Sequence, residues 1–265
     1  MNIIDTDAHP PCGEAEVDHL GRLSPHRFFE RLQRAGIDTA VGTLPLPSSL
    51  CTTASTAEDT LRTVNDAALS LAKIYPRNYL PGIHIHPAHP TLSCREIEIY
   101  SNAGVRMIGE IRAEWLDCPP DQSPLTDIFS CAEQYGMTVS VHSAAPERLG
   151  QWAKRFPGLN FMYGSRQCNI SLAASADLLQ KHTNLYLRLS QNIFLANYYL
   201  HTYVEKLPTS QLLFASGYPF CNPAARIAAV QWELRDQSEA KRQRIFRENA
   251  INCLDNRHDD TVHNH

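Results

Sequence analysis

A single (β/α)₈ barrel, an α/β fold, is the architecture that this sequence predicts. Eight short apolar segments alternate with stretches of helical periodicity, and 265 residues suit one barrel domain. Strands that alternate with helices pair in parallel through right-handed crossovers. No Gly-rich phosphate loop follows the first predicted strand, which weighs against a dinucleotide-binding sheet. We therefore expect one barrel over residues 1–254 and a flexible polar tail over residues 255–265.

The predicted strands are rich in Val, Ile, Leu and Phe, and Gly, Pro, Asn or Ser bounds each of them. They are Asn2–Asp7, Asp38–Leu44, Leu80–His86, Val105–Ile111, Thr138–His142, Leu159–Tyr163, Leu185–Ser190 and Leu212–Ser216.

Apolar side chains at intervals of three and four residues predict helices between these strands. Two such sets are Leu61, Val64, Ala68, Leu71 and Tyr75, and Leu125, Ile128, Phe129, Ala132 and Tyr135. Ser123-Pro124 predicts the start of the second helix and Gly136 its end. A last helix is expected over Glu239–Leu254.

Composition excludes several classes of protein. The net charge of −4 gives no electrostatic footprint for nucleic acid, and no apolar run reaches the length of a membrane span. Eight cysteines without a CxxC pair indicate a reducing compartment. The N-terminus lacks the basic and apolar segments of a signal peptide, so we expect a cytoplasmic protein.

Candidate functional residues follow the predicted strands at their carboxyl ends, where barrels hold their active sites. Asp5, Asp7 and His9 alternate at the end of the first strand, so they are expected on one face. Glu110 lies near the end of the fourth strand and His142 ends the fifth. Carboxylate oxygens and imidazole nitrogens are ordinary ligands of Zn²⁺ and similar ions. The end of the first strand thus offers half of a metal site, although such a polar end could also simply meet water. Polar residues of the same types at several strand ends, all expected on one axis, favour a functional site.

Short motifs along the whole chain resemble the amidohydrolase superfamily, and within it the TatD-type metal-dependent deoxyribonucleases. No single motif is specific, but their order and spacing agree with that family. The segments are Ile4-Asp5-Thr6-Asp7-Ala8-His9, Pro81-Gly82-Ile83-His84-Ile85-His86-Pro87, Ile108-Gly109-Glu110-Ile111, Val139-Ser140-Val141-His142-Ser143, Leu213-Phe214-Ala215-Ser216-Gly217-Tyr218-Pro219 and Arg247-Glu248-Asn249-Ala250.

The resemblance implies a metal-dependent hydrolase that acts on an ester, phosphodiester or amide bond. The metal ligands that it implies here are Asp7, His9, Glu110 and His142. Asp7 replaces a His of the family, Ser165 replaces another, and Gly217 replaces an Asp that both binds metal and accepts a proton. We therefore expect at most one tightly bound divalent ion, with Zn²⁺ favoured. The alternative is a catalytically degenerate barrel without metal that keeps a pocket for a ligand or partner.

Glu110, Arg112 and Arg188 are the predicted catalytic residues. If both arginines point into the mouth of the barrel, they would bind an anionic substrate such as a phosphate or carboxylate. The alternative is a salt bridge to Glu110 or Glu114 that only fixes a loop. Glu114 or His86 could replace the missing proton acceptor.

The predicted substrate pocket comprises His84, His86, Trp115, Tyr163, Ser165 and Tyr218. Within it, Tyr163 and Ser165 could simply fill the space that a ligand pair has left, and Trp115 and Tyr218 could be pocket wall or core. The expected partner is a small-molecule or anionic substrate, and the sequence does not indicate an oligomeric state.

Five cysteines fall in predicted loops after strands, on the catalytic side of the barrel. They are Cys12, Cys51, Cys118, Cys168 and Cys221. A thiolate among them could complete a metal site near Asp7 and His9. Cysteine is more often a small apolar residue in such loops, and that role is the one we favour.

Overall fold

Eight parallel strands form one sheet that curls into a barrel, and helices connect consecutive strands. The computed structural model describes residues 2–13, 15–17, 21–46, 54–111, 125–142, 144–164, 170–190 and 199–255. The predicted (β/α)₈ barrel is confirmed. The predicted tail lies outside the described residues from position 256 onwards.

All eight predicted strands are present. In chain order the strands are β1 (Ile3–Asp5), β2 (Ala15–Val17), β3 (Gly21–Leu23), β4 (Ile37–Gly42), β5 (Tyr79–Ile83), β6 (Met107–Ile111), β7 (Thr138–Val141), β8 (Asn160–Tyr163), β9 (Leu185–Arg188) and β10 (Leu212–Leu213). The barrel runs from β1 through β4 to β10, and β2 and β3 form a separate antiparallel hairpin.

The seam between the first and last strands closes through single contacts rather than a regular ladder. The Thr6 amide donates to the Phe214 carbonyl at 3.1 Å, and the Gly217 amide donates to the Asp7 carbonyl at 2.9 Å. Ala8 and Tyr218 form a parallel bridge between them. The backbone of the Asp7–His9 segment is therefore held against the chain that follows β10.

The helices begin and end with the local signals that their sequences carry. They are α1 (Pro25–Ala35), α2 (Ala54–Ile74), α3 (Pro90–Asn102), α4 (Leu125–Gln134), α5 (Pro146–Arg155), α6 (Leu172–Lys181), α7 (Tyr199–Lys206), α8 (Pro223–Glu233), α9 (Glu239–Gln243) and α10 (Asn249–Leu254), with a 3₁₀ turn at Thr209–Gln211 and a π turn at Arg244–Glu248. Ser24 caps α1 by accepting a hydrogen bond from the Arg27 amide. Gly136 follows α4 with a φ of +58°, as its predicted role as a helix stop requires. The predicted Ser123-Pro124 cap lies outside the described residues.

Apolar side chains fill the interior of the barrel at its amino-terminal end, and residues of α10 pack against them. These side chains belong to Ile4, Val41, Met107, Met162 and Leu213. Side chains of β7 and β8 fix this helix, because Thr138 Oγ1 and Asn160 Nδ2 both donate to the Cys253 carbonyl, at 2.6 and 3.0 Å. The predicted last helix, Glu239–Leu254, is present as α9, the π turn and α10. The open mouth lies at the opposite end, where the strands finish.

The structure differs from the prediction in two respects. Several strands end earlier than expected. For example, β1 stops at Asp5 and β10 at Leu213, because the seam contacts replace a continuous ladder. The hairpin of β2 and β3 was missed because three residues per strand are too few to show alternation. No helix among the described residues is both long enough and apolar enough to span a bilayer.

Candidate metal centre at the barrel mouth

Three potential metal ligands meet at the carboxyl end of the barrel. Asp7 and His9 follow β1, and Glu110 is the fourth residue of β6. One donor atom from each lies within 4.8 Å of the other two. His9 Nε2 is 3.2 Å from Asp7 Oδ1. The structure thus brings together residues that are about one hundred positions apart in the sequence.

His142 lies beside this group without joining it. Its Nδ1 is 3.1 Å from Glu110 Oε2, and its side chain is 31% exposed. The three-residue group with mutual distances under 4.8 Å does not include it. Ligation of a metal by His142 therefore stays a prediction, while its contact with Glu110 is a feature of the fold.

Arg188 is buried at the end of β9 and links two of the carboxylates. Its Nη2 donates to Glu110 Oε1 at 3.1 Å, and its Nη1 lies 3.7 Å from Asp7 Oδ1. Nη1 also donates to Ser140 Oγ at 3.0 Å. Only 2% of the side chain is exposed. Of the two alternatives predicted for Arg188, the structure therefore contains the salt bridge with Glu110.

These contacts determine the charges in the site. Burial alone would raise the pKa of Asp7 and Glu110, but opposite charges outweigh it and lower both values. Arg188 and His9 lower the pKa of Asp7. The pKa of Glu110 is lowered by His142, His9 and Arg188. Burial would lower the pKa of His9, but Asp7 and Glu110 raise it to about 9. At neutral pH the metal-free site therefore contains two carboxylates balanced by Arg188 and a protonated His9.

Asp5 has a structural role instead of a place in the cluster. Its Oδ1 accepts hydrogen bonds from the Ser216 amide at 2.8 Å and the Asp7 amide at 3.2 Å, and its Oδ2 accepts one from the Ser216 hydroxyl. Burial raises the pKa of Asp5 to about 7, although the hydrogen bonds from Ser216 oppose this. Asp5 is therefore not part of the group formed by Asp7, His9 and Glu110. Because β1 ends at Asp5, the strand alternation on which the prediction of a shared face rested does not extend to Asp7 and His9.

Three of the residues predicted to form a substrate pocket are buried. His84 is buried, with Nε2 2.7 Å from the Leu44 carbonyl oxygen. Tyr163 and Tyr218 are also buried, and the Tyr218 ring packs against Phe28. The role predicted for these three residues in a substrate pocket stays a prediction. His86 is partly exposed, and its Nδ1 accepts a hydrogen bond from the Ala88 amide.

Several predicted residues lie outside the described part of the chain. They are Arg112, Glu114, Trp115, Ser165 and the loop cysteines Cys51, Cys118 and Cys168. Their predicted roles remain predictions.

Sequence reasoning missed Phe220 at the mouth. Its side chain is 51% exposed, and its ring centroid lies 6.2 Å from that of His9. It follows the last strand in a loop, where no periodicity marks its position. The signal that could have found it is an aromatic residue shortly after the Gly217 position of the last strand.

The donor set of the cluster fits a divalent ion. Ligand atoms about 2.0–2.2 Å from Zn²⁺ can be at most about 4.4 Å apart, so small side-chain adjustments suffice. His9 Nδ1 lies 3.4 Å from the Thr43 carbonyl oxygen. Donation of an Nδ1 proton to that carbonyl would leave Nε2 free to bind a metal, as in many metal sites. Asp7, His9 and Glu110 are thus the described residues that would hold the ion.

Comparison with solved structures identifies barrels of the same fold. A 5-carboxyvanillate decarboxylase from Novosphingobium aromaticivorans, complexed with manganese and 4-hydroxy-3-methoxy-5-nitrobenzoic acid, is 13% identical with a TM-score of 0.72, and 95% of each chain is covered. A 2,6-dihydroxybenzoate decarboxylase from Rhizobium is 15% identical with a TM-score of 0.69, covering 96% of this chain and 98% of that one. A probable 2-pyrone-4,6-dicarboxylic acid hydrolase from Acinetobacter baumannii, with citric acid bound, is 16% identical with a TM-score of 0.65. The match covers 96% of this chain and 99% of that one.

No curated protein matches the chain in sequence. The Amidohydrolase family model (Amidohydro_2) matches residues 4–255, which is nearly the whole barrel. This agrees with the superfamily that the motifs predicted, whereas the TatD-type assignment within it stays a prediction. The chain therefore belongs to the amidohydrolase family.

Proposed function

We propose that the protein is a metal-dependent hydrolase that acts on a small, carboxylate-bearing substrate at the mouth of the barrel. The observation that carries this proposal is the cluster of Asp7, His9 and Glu110 at the carboxyl ends of the strands. One divalent ion bound there would supply Lewis-acid polarisation of a substrate oxygen. Zn²⁺ is the ion that we favour.

The similar structures support the substrate class. Two of them are named as decarboxylases of aromatic carboxylates, and a third holds citric acid. Phe220 gives the mouth of this barrel an apolar surface beside His9. A planar or aromatic carboxylate matches a site that combines an apolar ring with a bound cation.

The residues around the ion have separable roles in this proposal. Arg188 acts as a positioning residue, because its buried guanidinium holds Glu110 and neutralises part of the negative charge. His142 is the group that we assign to proton transfer. Its Nδ1 faces Glu110 and its ring is partly exposed, so Nε2 can meet a substrate. In this proposal His142 takes the place of the proton acceptor that Gly217 cannot supply.

Asp7→Asn and His142→Gln distinguish these roles. We expect Asp7→Asn to lose both bound metal and turnover, because a neutral amide is a poor ligand. His142→Gln should keep the metal and lose about 10²–10⁴-fold in kcat, the usual contribution of general acid–base catalysis. The measurements are metal content and turnover on aromatic and aliphatic carboxylates bearing ester, lactone or amide bonds, with decarboxylation and phosphodiester cleavage assayed alongside.

Four outcomes would contradict the proposal. Turnover that survives both removal of metal by a chelator and Asp7→Asn would exclude a metal-dependent mechanism. Loss of a carboxyl group without hydrolysis would show a decarboxylase, and cleavage of phosphodiesters alone would favour the TatD-type alternative. Absence of turnover on every class in the metal-loaded protein would favour the degenerate barrel.

A further inference from the structure

The segment that follows β10 leaves a space beside the metal cluster at Gly217. A Cβ atom built on Gly217 would lie 3.8 Å from Asp7 Oδ2 and 3.6 Å from Cys221 Sγ. Glycine places no side chain there, and its φ of +72° disfavours any other residue. The carboxylate and the thiol therefore both border the position of the absent side chain.

The two oxygens of the Asp7 carboxylate have different surroundings. Oδ1 is 3.2 Å from His9 Nε2 and 3.7 Å from Arg188 Nη1. Oδ2 lies on the side of Gly217, 3.8 Å from the position of the absent Cβ atom. This oxygen is therefore the one that borders the space next to Cys221.

The backbone holds Cys221 in this position. The amides of Phe220 and Cys221 both donate to the Gly217 carbonyl, at 2.9 and 3.2 Å. These bonds fold the chain back on itself directly after the last strand. Cys221 is partly exposed and forms no disulfide, so its thiol is open to reaction with a metal.

We propose that Cys221 is a ligand of the divalent ion and completes a site with Asp7, His9 and Glu110. This inference rests on the proposed function, since it assumes that the cluster binds metal. In its present rotamer the thiol is not among the donors that lie within 4.8 Å of one another. Rotation about the Cα–Cβ bond is the movement that brings Sγ towards Asp7 Oδ2.

The charges of the completed site are consistent with this ligand. Asp7, Glu110 and a Cys221 thiolate carry three negative charges. Arg188 and a divalent ion carry three positive charges, and His9 binds the metal in its neutral form. A buried site is most stable when its charges are compensated in this way. The thiolate also selects the metal, because sulfur ligands favour Zn²⁺ and Co²⁺ over Mn²⁺ and Mg²⁺.

Titration of the chelator-treated protein with Co²⁺ tests the proposal through absorption spectra. Thiolate ligation gives an intense near-ultraviolet charge-transfer band, whereas oxygen and nitrogen ligands alone give only weak visible bands. We expect the intense band in the wild type and its loss in Cys221→Ala and Cys221→Ser. Cys94→Ala is the matched control, because Cys94 lies on α3 with its thiol near the Asp127 carbonyl, and it should keep the band.

The spectra separate failure of this inference from failure of the proposed function. Weak visible bands without the charge-transfer band would show that the cluster binds metal but that Cys221 is not a ligand. A band that persists in both Cys221 variants would also overturn the assignment. No cobalt spectrum of either kind would refute both the thiolate ligand and the metal-dependent function. Circular dichroism on each variant identifies any that has failed to fold, and the serine variant then replaces the alanine one.

Discussion

Replacing Gly42 by Ala is expected to prevent this barrel from reaching its native structure. A Cβ atom at position 42 would lie 1.8 Å from the Ala8 carbonyl oxygen and 2.9 Å from the Ala8 carbonyl carbon. Both are backbone atoms and cannot rotate away. Ala8 lies between Asp7 and His9, so relief of the clash would displace the metal cluster. We expect a loss of more than about 4 kcal/mol in the free energy of unfolding, or no soluble protein.

Gly150→Ala is the matched control for this prediction. Its Cβ would first meet the side-chain atoms His182 Nε2 and Leu178 Cδ2, each at 3.4 Å, and the residue lies in α5. Alanine favours a helix over glycine by roughly 0.8–1.0 kcal/mol, which offsets a tight contact. Urea unfolding should therefore show little change. A Gly42→Ala protein as stable as Gly150→Ala would mean that Gly42 and the backbone of Ala8 do not approach as described.

Arg188→Met is expected to have the second-largest effect on stability. Methionine retains an unbranched, apolar stem like that of arginine, but it leaves Glu110 and Asp7 without their buried counter-charge. Removal of one partner from a buried ion pair typically costs about 3–5 kcal/mol. For a chain of this size that lowers the melting temperature by roughly 10 °C. Thermal unfolding of the metal-free protein is the measurement.

Two comparisons sharpen the Arg188 result. Arg34→Ala removes a surface ion pair with Glu30, and the 78% exposed Arg34 side chain should make its loss nearly neutral. Zn²⁺ should stabilise Arg188→Met more than it stabilises the wild type, because the ion restores the missing positive charge. A metal-free Arg188→Met protein within about 1 kcal/mol of the wild type would show that the carboxylates do not need the guanidinium.

The barrel and the position of its active end were predictable because both follow from local patterns. Apolar runs bounded by turn residues mark the strands, and helical periodicity between them dictates parallel pairing. Once eight parallel strands are assumed, their carboxyl ends must share one mouth. The approach of His9 to Glu110 follows from that topology, without any knowledge of side-chain contacts.

The contacts inside the mouth could not be decided from the sequence, because long-range packing sets them. A salt bridge from Arg188 to Glu110 was one of two predicted alternatives, and only the packed barrel, which brings together residues 78 positions apart, decides between them. Asp5 turns to Ser216 because the seam ends the strand there. Cys221 could not be separated from the other loop cysteines, since its place beside Asp7 depends on the turn at Gly217.

The most direct test of the central claim is a calorimetric titration of Zn²⁺ into chelator-treated protein at pH 7, repeated in two buffers of different ionisation enthalpy. We expect one ion per chain, with binding lost in Asp7→Asn and Glu110→Gln. His9, with its pKa raised to about 9, is protonated at pH 7 in the metal-free site and must lose that proton to bind metal. Binding should therefore release protons and become tighter as the pH rises towards 9. Absence of binding, a second tightly bound ion, or affinity that survives both substitutions would contradict a metal centre at Asp7, His9 and Glu110.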